Sequence, residues 1–506
     1  MFPIFPPHAT DFYKTGHAVQ YPDKTSLVYS NFTCRSDRLA DVLEDFDHKV
    51  VFFGLQGIAQ YLLRDAWNEQ FFQKPKEKVV AKYKRRMDKA LGRGKVNPKQ
   101  IAALHDLGYL PVLIKALPEG SRVDIKVPPF TIQNTHPDFY WATNYLETQI
   151  SAEIWKPITS ATTAYEYFRM LARFFEETGA DLNLLPAFGH DFAARGMSGI
   201  HDATTSGAAH LTSFEGTDTI SAIDYLEDYY PDETDPHIGG SVPATEHAVM
   251  CMGGETDEIG TIRRLVTKVY PTGIVSVVSD TWDFWQVVTE YATILKDEIM
   301  ARGPDEDGLP GKTVYRPDSG DPVKILAGDP DAEPGSPAFK GAVECLWDVF
   351  GGTVTAKGYK VLDSHVGLIY GDSITLKIAL RILQALKVKG FAACNVVFGI
   401  GSFTYQHVTR DSYGSAVKAT FGVVDGQDRV LFKAPKTDSG IKNSARGLLR
   451  VEHEDGRFVL HELQTREQEK QGLLEPVFMD SKVLRMQGIS DIRRRIRSSH
   501  ALRLAA

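Results

Sequence analysis

The sequence predicts an α/β protein in which an irregular parallel β/α barrel packs on a mixed α/β domain. Three patterns carry that expectation. From about residue 190 a short apolar run, a polar corner and a helical stretch recur, which is the rhythm of a parallel barrel. Before that point, strand-like and helix-like runs mix without alternation. From Ala416 onward the pattern becomes alternating apolar runs around turn residues, as in hairpins. The expected division places residues 1–155 with 412–506 in the mixed domain and 156–411 in the barrel.

In chain order, Ser26–Phe32 reads as the first strand, and Phe52 to Trp67 has helical spacing. Lys74 to Leu91 is a second helix, whose run of Lys and Arg reads as a solvated face. Val112–Ala116 and Val123–Ile132 read as strands joined by the turn Leu117-Pro118-Glu119-Gly120. Phe139 to Trp155 and Thr163 to Thr178 read as two amphipathic helices. In the barrel, Gly216-Thr217-Asp218 is a strand end. Ile274–Ser279 ends in Asp280 and leads to a helix from Trp282 to Met300. Thr313–Tyr315 ends in Arg316-Pro317-Asp318, and Val366–Tyr370 in Gly371-Asp372 before a helix from Ile374 to Lys389. Asn395–Phe398 ends in Gly399-Ile400-Gly401-Ser402. Barrel active sites are built at the carboxyl ends of the strands, where Asp, Arg, Ser and Gly accumulate here. In the tail, hairpins are expected around Asp425–Asp428 and Glu454–Gly456, and the basic run Arg493–Arg497 reads as a surface helix.

Composition bounds the function. The chain has 506 residues, 43% hydrophobic and 24% charged, enough for two or three domains with a sizeable core. A net charge of -8 argues against coating nucleic acid or an anionic membrane. The four cysteines, Cys34, Cys251, Cys345 and Cys394, form no C-x-x-C pair, so they read as reduced thiols of a cytoplasmic protein. The start Met1-Phe2-Pro3-Ile4-Phe5 lacks the basic and apolar regions of a signal peptide, and no apolar run approaches the ~18 residues of a membrane span.

The chemical signals centre on Ser241-Val242-Pro243-Ala244-Thr245-Glu246-His247, a proline-marked segment ending in histidine. A lone histidine also fits a hydrogen-bonded structural role. Arg316 and Asp318 lie two residues apart, on one face of an extended strand. Arginine suits phosphate, and a carboxylate suits sugar hydroxyls or hydrated Mg²⁺; a structural ion pair is the alternative. With Gly371-Asp372 they point to a ribose-plus-phosphate ligand. Gly399-Ile400-Gly401-Ser402 resembles a phosphate-cradling loop but lacks the third glycine of a dinucleotide fingerprint. Gly311-Lys312-Thr313 is a partial P-loop match with Glu306 where glycine is required, and reads as a turn. Tyr13 also fits simple packing, and Arg35 a solvated loop charge. Neither an H-E-x-x-H nor a G-x-S-x-G motif is present.

Several motifs together resemble the nicotinamide phosphoribosyltransferase family. They are Asp11-Phe12-Tyr13-Lys14, Gly108-Tyr109-Leu110-Pro111, Lys115-Ala116-Leu117-Pro118-Glu119-Gly120, Gly216-Thr217-Asp218-Thr219, Ser241–His247, Val277-Val278-Ser279-Asp280, Arg316-Pro317-Asp318-Ser319-Gly320 and Thr409-Arg410-Asp411. The resemblance implies a type II phosphoribosyltransferase fold and a head-to-tail homodimer with sites at the subunit interface. It implies conversion of nicotinamide and 5-phosphoribosyl 1-pyrophosphate to nicotinamide mononucleotide and pyrophosphate in NAD salvage. Mg²⁺ would assist, and ATP would be hydrolysed through a phosphohistidine. By the same resemblance His247 is the phosphorylated residue and Asp280 orients it. Phe192 and the other subunit's Tyr13 sandwich the pyridine, and Asp218 meets its carboxamide. Arg195 and Arg316 contact pyrophosphate and the ring site. Asp318, Gly371 and Asp372 contact ribose. Gly401 and Ser402, with Arg410 and Lys418 across the dimer, hold the 5′-phosphate. Arg35 and Lys433 contact pyrophosphate or ATP. The Gly399–Phe403 loop departs from the glycine-rich vertebrate pattern, which suggests a bacterial or viral branch. Three other readings stay open: a nicotinate-using enzyme of the same fold, a sugar-phosphate lyase or isomerase, and a non-catalytic nucleotide binder.

Overall fold

A computed structural model describes residues 4–232, 237–433 and 444–498. Two sheets organise the chain. The first is antiparallel and seven-stranded, in the order Gln427–Val430, Ala416–Val424, Thr25–Thr33, Phe130–Asn134, Val112–Ala116, Glu475–Met479 and Lys482–Val483. Its core gathers Phe32, Phe52, Leu63, Trp67, Ile114 and Phe130. The tail thus pairs directly with the beginning of the chain: Thr25–Thr33 aligns with Ala416–Val424. Both expected tail hairpins form. Each turns on an Asp-Gly pair with positive φ at both residues, Asp425-Gly426 and Asp455-Gly456, as two-residue hairpin loops require.

The second sheet is parallel and curled, in the order Gly216–Thr217, Gly189–Asp191, Val396–Ile400, Val366–Tyr370, Lys312–Arg316 and Ile274–Val278. Its edges do not stay open. Gly240 bridges to Gly216 and Ala244 bridges to Ser276, both parallel. The segment between them therefore closes the sheet into a barrel, through Thr217 N–H to the Gly240 carbonyl at 2.9 Å and Ser276 N–H to the Pro243 carbonyl at 2.8 Å. Closure removes the unpaired edges that an open sheet would present.

Several expectations need correction. The two helices expected across 139–178 are chiefly one, Glu147–Thr178, with Pro157 inside it. Proline and a Thr/Ser run predict a break. Burial on both sides overrides it: Ile150, Ile154 and Ile158 sit in the mixed-domain core, and Ala164, Phe168 and Leu171 in the barrel core. Thr159, Thr162 and Thr163 return their hydroxyls to carbonyls four residues earlier. The 155/156 division falls within this helix. Val123–Ile132 is two strands, Arg122–Asp124 and Phe130–Asn134, in different sheets. The helix expected from Trp282 to Met300 does form, from Phe284 to Met300, nearly continuous, with a π-helical turn over Val287–Tyr291 and a loosening at Leu295. Lys312-Thr313 opens a strand and is not a turn. The basic run forms the helix Ile489–Ser498, but Arg493 within it is buried.

Candidate active site

The barrel-closing segment also delivers His247. Val278 N–H donates to Thr245 Oγ1 at 2.9 Å and Thr245 N–H to the Ser276 carbonyl at 3.0 Å. Thr245 is thereby fixed against the strand that carries Asp280. Glu246 is extended, and His247 begins the short helix His247–Gly253. The result sets Nε2 of His247 3.2 Å from Asp280 Oδ1. The imidazole is half open and the carboxylate sealed, at 49% and 4% exposure. The second oxygen of Asp280 accepts from Asp318 N–H at 2.9 Å and Ser319 Oγ at 2.6 Å. Asp280 is therefore oriented from both ends, and a carboxylate so held fixes the imidazole as an Nε2–H tautomer with a free lone pair on Nδ1.

Arg316 comes to the same point from the next strand. Its Nη2 donates to the Thr245 carbonyl at 2.7 Å, and Nε lies 3.3 Å from Asp318 Oδ2. Nη1 has no partner among the described residues. Burial raises the Asp318 carboxyl above its ordinary range; Arg316 opposes this, Asp280 adds to it, and His247 and Asp372 make smaller, opposite contributions.

His247, Arg316 and Asp318 line one cleft of about 1040 Å³ at the carboxyl ends of the barrel strands, together with Phe192, Arg195, Asp218, Gly371, Asp372, Gly401 and Ser402, while Asp280 lies sealed behind His247. Phe192 packs against backbone where only glycine leaves room: a Cβ on Gly399 would come within 2.4 Å of its ring, and one on Gly371 within 2.8 Å. Asp218 also faces the cleft, with its side chain 46% exposed, bonded to Ser241 Oγ at 2.6 Å and His190 Nε2 at 2.9 Å. Burial alone would raise its pKa, but bonds from His190 and Ser241, with the charges of His190 and Arg316, bring it below the ordinary value. The cleft thus offers an aromatic face with an acceptor at one end and a guanidinium–carboxylate–imidazole cluster at the other.

Five singled-out residues are not in this cleft. Tyr13 is 63% exposed on the N-terminal turn Phe12–Gly16. Arg35 donates Nε to the Gly414 carbonyl at 2.9 Å. Lys418 lies 3.5 Å from Glu147, and Arg410 3.5 Å from Asp411. Lys433 is exposed at the end of a described stretch. Arg35 and Lys418 instead share a separate hollow of about 380 Å³ on the mixed domain, with Lys126 and Arg446.

Comparison with known proteins decides the family. The sequence profile of the nicotinate phosphoribosyltransferase (NAPRTase) family matches residues 188–481, and that of the nicotinamide phosphoribosyltransferase N-terminal domain matches residues 7–89. The chain is 57% identical to a nicotinamide phosphoribosyltransferase of Acinetobacter baylyi, over 98% of this chain and 97% of that protein. The chain belongs to the nicotinamide phosphoribosyltransferase family. A second relative of that name, from Xanthomonas campestris pv. campestris, is 33% identical over 96% of each chain. A solved nicotinate-nucleotide pyrophosphorylase from Pyrococcus furiosus superposes with a TM-score of 0.56 at 14% identity, covering 97% of this chain and 95% of its own. It shares the fold, that of type II phosphoribosyltransferases. The chain is a pentosyltransferase.

Within this phosphoribosyltransferase cleft, sequence reasoning passed over three contributors. His190 was not singled out, although it lies one residue from the end of a barrel strand and directly across from Gly216. Ser319 holds Asp280, and the Thr245 carbonyl holds Arg316. Strand-end position was the available signal for His190. A main-chain carbonyl leaves no mark in sequence. Among the described residues, no helix is long and apolar enough to cross a membrane.

Proposed function

We propose that this enzyme transfers the 5-phosphoribosyl group of phosphoribosyl pyrophosphate to nicotinamide, releasing pyrophosphate, and that ATP phosphorylates His247 to drive the transfer in NAD salvage. The supporting observation is the convergence in one cleft of Phe192 and Asp218 with Arg316, Asp318 and the His247–Asp280 pair. The curated relatives carry the matching name.

In this reading the pyridine lies on Phe192, where aromatic stacking contributes about 0.5–1.5 kcal/mol beyond area burial. Ionised Asp218 accepts a hydrogen bond from the carboxamide and repels a carboxylate. The ring nitrogen forms the bond to ribose C1 as the bond from C1 to the pyrophosphate oxygen breaks; the electron pair leaves with pyrophosphate and the positive charge ends on the pyridinium. Arg195 and the free Nη1 of Arg316 hold the departing anion, and Asp318, Gly371 and Asp372 hold the ribose hydroxyls. Nδ1 of His247 attacks the γ-phosphorus of ATP, ADP leaves, and Asp280 stabilises the imidazolium through Nε2–H. The phosphorylated ring adds anionic oxygens beside the pyrophosphate site.

Mg²⁺ would neutralise pyrophosphate. No group of three or more metal-binding side chains gathers among the described residues, and Asp280 has committed both oxygens. The donors do not form a protein cage for the ion, so no step is assigned to it. Gly401 and Ser402 receive the 5′-phosphate. Tyr13, Arg410 and Lys418 belong to this site only if they come from a second copy, with Arg35 and Lys433 at pyrophosphate or ATP, so the reading includes a homodimer.

A nicotinate-using enzyme is the second reading, favoured by the family whose profile covers the barrel and opposed by ionised Asp218. Detection of the mononucleotide from each pyridine, with and without ATP, separates the two. The amide product should dominate, ATP should raise its yield, and His247→Ala should lose the ATP effect while still binding nicotinamide. Comparable kcat/KM for nicotinate, or unchanged ATP stimulation in His247→Ala, would overturn the corresponding half of the reading.

A further inference from the structure

Asp218 uses its two oxygens unequally. Oδ1 accepts from Ser241 Oγ at 2.6 Å and stands 2.9 Å from His190 Nε2, while those two partners are 3.5 Å from each other. Oδ2 has no partner among the described residues. His190 itself is tightly placed. It lies on the strand Gly189–Asp191 in register with Gly216. Its ring centroid is 4.8 Å from that of Phe192. A Cβ on residue 216 would come within 2.6 Å of His190 Nδ1, so glycine there reserves the space for the ring. Only Nε2 of the imidazole makes a hydrogen bond among the described residues, and it is aimed at Asp218.

We propose that His190 is the positioning residue for pyridine specificity: as an Nε2–H donor it fixes the rotamer of Asp218, so that a single oxygen, Oδ2, meets the ring substituent and only an uncharged, hydrogen-donating substituent is accepted. This deepens the proposed function and rests on the pyridine lying against Phe192. Without the donor, Asp218 keeps only Ser241. It can then turn its charge away from the pocket when a carboxylate substituent enters, and discrimination relaxes. Ser241 alone does not define the rotamer, because a hydroxyl rotates to follow its acceptor. The imidazole, held between Phe192 and Gly216, does not.

The test compares His190→Gln, whose amide nitrogen can occupy the place of Nε2–H, with His190→Leu, which fills the space and donates nothing. The measured quantities are kcat/KM for nicotinamide and for nicotinate, and KM for phosphoribosyl pyrophosphate. His190→Leu should reduce the amide-over-acid preference about tenfold or more, the scale of one hydrogen bond to a charged group. The change should appear in KM for the pyridines. His190→Gln should keep the preference within about threefold of wild type, and KM for phosphoribosyl pyrophosphate should not move in either variant, which also reports an intact fold. An unchanged preference in His190→Leu, or equal loss in both variants, overturns the proposal, the second outcome assigning His190 to packing alone. A wild-type enzyme without amide preference instead refutes the underlying reading, before any variant is compared.

Discussion

A buried carboxyl beside the His247–Asp280 pair links single-residue chemistry to stability. Glu258 is only 2% exposed, and its Oε1 has no hydrogen-bond partner among the described residues. Burial first, then the charges of Asp283 and Asp280, push its pKa up to about 7. The sign follows from linkage. The folded chain keeps this proton at a pH where the unfolded chain has released it, so Glu258 opposes folding increasingly as pH rises from its unfolded pKa through about 7. In Glu258→Gln that dependence disappears. The melting temperature of wild type should fall relative to the variant between about pH 5 and pH 8, measured by calorimetry in matched buffers. A constant difference across that range would show that Glu258 does not titrate as the buried group described here. Nothing in Glu255-Thr256-Asp257-Glu258 distinguishes the last acid from its exposed neighbours. The distinction arises when the following helix packs on the barrel. The pairing of His247 with Asp280 needed more than spacing for the same reason: the two come from different elements, and resemblance, not geometry, linked them in the sequence.

At the scale of elements, the C-terminal helix Ile489–Ser498 acts as a clamp. Arg493 donates to the carbonyls of Leu211, Phe214, His237 and Ile238. The last two lie just before the segment that closes the barrel at Gly240 and Ala244. One guanidinium thus satisfies carbonyls at the end of the helix Ile200–His210 and anchors the approach to Ser241. Arg493→Met keeps much of the volume but orphans buried acceptors, and should cost about 3 kcal/mol in denaturant unfolding. Loosening of the closing segment should also raise KM for the pyridine more than it lowers kcat. A stability loss below about 0.5 kcal/mol, the range of an ordinary surface substitution, would make Arg493 a surface residue after all. From sequence, four arginines within five residues read as solvated, because charge runs usually are. Ile489, Ile492 and Ile496, at helical spacing and all buried, mark the inner face of this helix, but they do not say which arginine turns inward. The barrel strands were legible through short apolar runs ending in polar corners. The closing segment was not, since Ser-Val-Pro-Ala-Thr has little strand character and contributes only isolated bridges. The fused helix Glu147–Thr178 was lost to Pro157 for the complementary reason: local propensity favours a break, and burial in two cores at once outweighs it.

For the whole molecule, the arrangement of cations bears on assembly. Arg195 and Arg316 lie in the barrel cleft, whereas Arg35 and Lys418 line a hollow on the mixed domain with Lys126 and Arg446. Among the described residues four cations surround about 380 Å³, with Glu462 in the lining and Glu147 3.5 Å from Lys418, so positive charge exceeds negative there and favours an anion. Lys126 adopts a left-handed backbone, φ 76°, at the edge of this hollow, a conformation that side chains other than glycine adopt at a cost. In the proposed head-to-tail dimer this hollow of one copy faces the barrel cleft of the other, and each site draws His247 from one chain and Lys418 from its partner. Sequence could name both sets of residues through resemblance, but pattern alone could not show that a single chain separates them. The division has a consequence that a self-contained site would lack. His247→Ala and Lys418→Ala should each be severely impaired as pure homodimers. After co-refolding or co-expression in equal amounts, half of the dimers are mixed, and each of these rebuilds one intact site and concentrates both substitutions in the other. About a quarter of all sites then regain wild-type composition, following the two-fold symmetry of such an assembly. Turnover should therefore recover to about a quarter of wild type, with ATP stimulation restored in proportion. Simple averaging of the two inactive parents would leave no recovery, and that outcome would place Lys418 outside the partner's site.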